Sequence, residues 1–100
     1  MGIDTRIESE SGALIRELSD PHSLLSCLIP VKTPGHCLPF IDPYGDTLFN
    51  QLQIPHLIDE LHAVSKTCDE PSVRRHVEAV LELARTAQGQ AHIYVRFVGD

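Results

Sequence analysis

Residues 92–98 read HIYVRFV, and they hold the chain's densest run of β-branched and aromatic residues. In an extended strand Ile93, Val95 and Phe97 share one face, while Tyr94, Arg96 and Val98 share the other. Apolar residues on both faces predict a central or well-covered strand. Such a strand needs neighbours along its edges and a layer against at least one face, so the rest of the sequence is read for what can supply them.

Neighbouring strands are expected near the beginning. Residues 3–8 alternate Ile3, Thr5 and Ile7 with Asp4, Arg6 and Glu8, the period of two of a half-buried strand. Residues 9–12, SESG, are turn-rich, and residues 13–18 alternate again less regularly, which predicts a hairpin. A brief middle strand is expected at residues 38–41.

The covering layer is expected from two helices. Pro55 opens the first, with Leu57, Ile58, Leu61 and Val64 on one stripe and Asp59, Glu60, His62 and Lys66 opposite. The second starts at Pro71 behind Asp69 or Glu70 as cap, buries Val73, Val77, Val80, Leu81 and Ala84, and stops at Gly89. A shorter helix is expected from Asp20 and Pro21 through Leu24, Leu25 and Leu28, ended by Pro30. Residues 30–39 contain Pro30, Pro34, Gly35 and Pro39 and read as an irregular crossing. The predicted fold is α+β, a single domain over residues 1–100. A small antiparallel sheet, made of the N-terminal hairpin, a short middle strand and the C-terminal strand, is covered on one face by two amphipathic helices.

Composition narrows the function. At 42% hydrophobic and 22% charged, the 100 residues suit one globular core. The net charge of −6, with only Arg74 and Arg75 adjacent, opposes a phosphate backbone, so no nucleic-acid partner is expected. Apolar runs are too short for a membrane span and the start lacks a basic, apolar leader, so the expectation is a cytoplasmic chain without membrane association. Cys27, Cys37 and Cys68 are odd in number and widely spaced, which favours reduced thiols over a disulfide framework.

No recognisable catalytic motif is present, and no cofactor is expected. The histidines and cysteines lack the paired spacing of a structural zinc site, since His36 and Cys37 are adjacent and His56 and His62 are six apart. The chemical alternative is a small enzyme or metal-binding protein using His36, Cys37 and His56. His56, Asp59 and Glu60 within one helical turn read as a solvated face.

The other polar concentration is residues 40–53, FIDPYGDTLFNQLQ. Asp42, Pro43, Tyr44 and Gly45 match a type I turn, with Asp accepting local N–H bonds and Pro presetting φ. Asp46 is placed to cap an element starting after Gly45. The spacing lacks the alternate carboxylates and distal Glu of a calcium loop. Binding concentrates on such loops, so the candidate binding residues are Tyr44, Asp46, Phe49, Asn50 and Gln53.

The FIDPYGDT-x-FN segment between a hairpin and two helices resembles small uncharacterised bacterial proteins, a resemblance that implies no established activity. More distantly, IRELSDPHSLLSCL, YGDTL and VEAVLELARTAQGQAHIYVRF are similar in character to segments of barstar-type ribonuclease inhibitors, which are also small and acidic. In that family acidic positions counted from the Tyr-Gly pair occupy a ribonuclease site; here they fall on Phe49 and Gln53. The resemblance implies an immunity-type inhibitor. The functional expectation is therefore a non-catalytic binding domain with a protein partner, the remaining alternative being a homo-oligomer joined through exposed apolar residues of the last strand.

Overall fold

The computed structural model describes residues 2–28 and 35–99. Its elements are β1 (Asp4–Ser9), β2 (Leu14–Leu18), β3 (Asp46–Phe49), α1 (Ile54–Thr67), α2 (Pro71–Ala87) and β4 (Ile93–Val98), with 3₁₀ turns at Leu25–Cys27 and Leu38–Phe40. The strands form one antiparallel sheet in the order β2-β1-β4-β3. The central position expected for HIYVRFV is therefore realised, with β1 on one edge of β4 and β3 on the other.

Register sets which side chains meet the helices. Thr5, Phe97 and Thr47 stand in one row, and Ile7, Val95 and Phe49 in the next. These two rows face inward, where Thr5, Ile7, Phe49, Val95 and Phe97 are buried. Ile54, Leu57, Ile58 and Leu61 from α1, and Val73, Val77, Val80, Leu81 and Ala84 from α2, complete the core. The helical stripes read from spacing are the buried faces, because residues three and four apart meet the same neighbour. α2 is capped as expected: Glu70 accepts the Ser72 N–H, and the helix ends before Gly89, whose φ of +77° suits the left-handed stop.

Two local expectations are corrected. The helix expected from Pro21 is only a turn followed by Leu25–Cys27. Ser23 takes a left-handed φ of +56°, which breaks a helical path, and the buried Asp20 carboxylate is divided between the Leu24, Leu25 and Ile3 N–H groups. Its proposed stop at Pro30, like Pro34 of the crossing segment, lies outside the described residues. The strand expected at residues 38–41 is a 3₁₀ turn instead. Pro39 has no N–H to place in a ladder, and the N–H groups of His36, Cys37 and Leu38 are all drawn to the Glu60 carboxylate. The middle strand lies beyond the Pro43 turn, at Asp46–Phe49.

The opposite sheet face carries a ladder of alternating charge that joins all four strands. Glu17 pairs with Arg6 at 3.3 Å, Arg6 with Glu8 at 3.4 Å, Glu8 with Arg96 at 2.9 Å and Arg96 with Asp46 at 3.2 Å. Glu8 is only 4% exposed although it lies on this face, so its charge depends on the two guanidiniums beside it.

Candidate functional site

The segment from Phe40 to Gln53 builds its geometry from its polar residues. Asp42 Oδ1 accepts the Tyr44 N–H at 2.9 Å, and the Asp42 N–H is donated to Thr47 Oγ1 at 2.9 Å. Gly45 closes the turn: a Cβ there would sit 2.8 Å from Asp42 Oδ2. Its carbonyl accepts the Gly99 N–H at 2.8 Å, which continues the β3–β4 pairing by one residue. This turn holds Tyr44 away from the core, 83% exposed.

At the other end of β3 a second turn is closed from both sides. Asn50 Oδ1 accepts the N–H groups of Leu52 and Gln53, while Gln53 Oε1 accepts the Asn50 N–H at 2.9 Å. This reciprocal arrangement starts α1. It leaves Leu52 76% exposed on the turn.

The five candidate binding residues therefore separate. Tyr44 stands in solvent, and Asp46 is exposed as the last member of the charge ladder; it opens a strand and caps no helix. Asn50 and Gln53 have their side-chain oxygens committed to backbone. Phe49 cannot present itself to a partner: it is buried, edge-on to Phe97 with ring centroids 5.9 Å apart. The residues that the sequence reading missed are Phe40, Leu48 and Leu52, exposed by 69%, 45% and 76%. An alternating reading of residues 46–49 contains the signal for Leu48, since the buried Phe49 leaves its neighbour on the outward face.

The His36, Cys37 and His56 group is brought together only in part. The rings of His36 and His56 lie 5.0 Å apart at 53°. Cys37 points the other way, into the core, and its Sγ donates to the Gln53 carbonyl at 3.5 Å. Burial, and then the nearby Glu60 carboxylate, push this thiol up to about 11, so it is protonated at neutral pH. Glu60 is not the solvated residue expected. Its two oxygens gather the N–H groups of His36, Cys37 and Leu38 at 2.9–3.2 Å and pin this loop to α1. Among the described residues no group of three or more His, Cys, Asp or Glu side chains is placed to hold a metal ion. No helix among them is long and apolar enough to cross a membrane.

Comparison of the chain with protein-family models, curated proteins and solved structures finds no match in any of the three.

Proposed function

We propose that this chain is a non-catalytic protein-binding domain that engages a protein partner along the β3 side of its sheet. The observation that carries the reading is the contrast within residues 40–52. Asp42 and Asn50 are turned inward onto the backbone, while Phe40, Tyr44, Leu48 and Leu52 are held in water. Large side chains fixed on rigid turns lose little entropy on binding, and aromatic anchors of this kind carry much of the energy of protein interfaces.

The sharpest form of the proposal is an immunity-type inhibitor of a basic target. The small, acidic barstar-type resemblance and the net charge of −6 support it, since opposite charge accelerates encounter. The proposal assigns no acidic residue to a ribonuclease site. Its test is paired affinity capture with the intact chain and a Tyr44→Ser/Leu52→Ser variant. A stoichiometric partner held by the first and lost by the second, at unchanged thermal midpoint, is the expected result; equal retention by both counts against this surface.

The rival reading, an enzyme or metal protein around His36, Cys37 and His56, predicts stoichiometric metal in elemental analysis of protein purified without added metal. The protonated state of Cys37 weighs against a thiolate role for it.

A further inference from the structure

β3 forms one edge of the sheet, and its register determines which of its backbone groups lack partners. The Gly99 N–H donates to the Gly45 carbonyl, so Gly45 and Gly99 form a hydrogen-bonded pair. Antiparallel pairs alternate in type. Thr47 with Phe97 and Phe49 with Val95 are then the bonded pairs, and the N–H and C=O groups of Asp46 and Leu48 point away from β4. None of these four groups has a hydrogen-bond partner among the described residues.

The two sheet edges differ in protection. β2 exposes Leu14 and Ile15, but it also carries Arg16 and Glu17, and a register shift between Ile7 and Glu8 interrupts its pairing with β1. Charges and bulges of this kind discourage a further strand. β3 has one charge, Asp46, which Arg96 of its own sheet neutralises, and beside it stands the half-exposed Leu48.

We infer that the occupant of this edge is a second copy of the chain, paired antiparallel through β3 about a two-fold axis at Thr47. This puts a second copy, in place of a basic target, on the protein-binding surface proposed above and rests on the reading of that surface alone. In this register Asp46 faces Leu48 of the second copy and Leu48 faces its Asp46. Both are residues with outward backbone groups, so the pair exchanges four N–H···O=C bonds. No carboxylate meets a carboxylate, and Leu48 shields the Asp46–Arg96 ion pair of the other copy from water. The two sheets continue as one. Tyr44 and Leu52 flank the pairing at its ends. A four-residue strand buries a small area, so the dimer is weak and concentration-dependent.

Sedimentation equilibrium of the intact chain from about 10 μM to about 1 mM, where so small an interface dissociates, tests this. The average mass should rise from 11.1 kDa towards twice that value. Leu48→Pro removes only an outward N–H and should hold the mass at the monomer value, with circular dichroism reporting an intact sheet. Leu48→Glu, which sets a carboxylate opposite Asp46 of the second copy, should weaken the dimer at least tenfold at low salt, while Leu48→Lys should match or exceed the wild type. Inside one chain the order reverses, because residue 48 lies beside Arg96, so a general loss of stability cannot mimic this pattern. A dimer that persists in Leu48→Pro, or one weakened equally by Glu and Lys, overturns the pairing. A wild-type chain that stays monomeric yet holds another protein through Tyr44 and Leu52 overturns the homotypic partner alone; a monomer that holds none also removes the binding surface.

Discussion

Asp42, Asn50, Gln53 and Glu60 show at the residue scale how polar side chains that invite a chemical reading serve the backbone instead. Glu60 is the clearest case. Its carboxylate satisfies three consecutive N–H groups, and hydrogen bonds to a charged acceptor each contribute about 1.5–3 kcal/mol. Glu60→Gln, which puts an amide NH₂ among those donors, should lower stability by about 2 kcal/mol in urea unfolding. Cys37 makes the second prediction. Alkylation of native protein at pH 8 should modify the exposed Cys27 and spare Cys37, as peptide mass spectrometry would read directly. Because folding raises its pKa from about 9 to about 11, the unfolded chain releases this proton first. Stability linked to Cys37 is full below pH 9 and declines between pH 9 and 11, a decline that Cys37→Ala should remove. A flat profile in the wild type would contradict the burial argument.

Periodicity made α1, α2 and β1 readable at the element scale, since each has several residues reporting the same face, while β2, nearly all of it exposed, was legible through the turn-rich residues 9–12 that join it to β1. β4 declared its central place through apolar residues on both sides. Phe49→Ala should cost about 3–5 kcal/mol, as for other buried aromatics, while Leu48→Ala next to it should stay within about 1 kcal/mol; thermal or urea unfolding separates them. This contrast also shows why β3 was missed. Four residues are too few to establish an alternation, and the expectation fell on residues 38–41, ahead of the Pro43 turn. The charge ladder was hidden for another reason. Glu8, Arg96 and Asp46 are 88 and 50 residues apart along their bonds, so only strand order brings them together. Arg96→Met leaves the buried Glu8 with Arg6 alone and should cost about 1–3 kcal/mol, the penalty for an under-compensated buried charge. A double-mutant cycle with Glu8→Gln would show whether that loss comes from the pair.

For the whole molecule, one sheet face is covered by two helices and the other is held by its own ion pairs. The most exposed large apolar residues, Phe40, Tyr44 and Leu52, lie on the segments flanking β3, with Leu48 on the strand itself, while Leu14 and Ile15 are exposed on β2 at the far edge. This distribution was only half visible from residues 40–53. Tyr44 could be named as a candidate because it sits on a loop that the turn chemistry of Asp42, Pro43 and Gly45 left unexplained, but Leu52 sits in a polar run that gave no sign of its exposure. Phe49, the more prominent aromatic, was taken by the core. The proposed recognition therefore rests on Tyr44 and Leu52, whose removal should change stability by no more than about 0.5 kcal/mol. The most direct measurement is paired capture by the wild type and Tyr44→Ser/Leu52→Ser at matched concentration, with the thermal midpoint of each recorded. A binding partner that is retained by the wild type and lost by an equally stable variant is the predicted result. Retention of the same partner by both proteins would contradict the central claim.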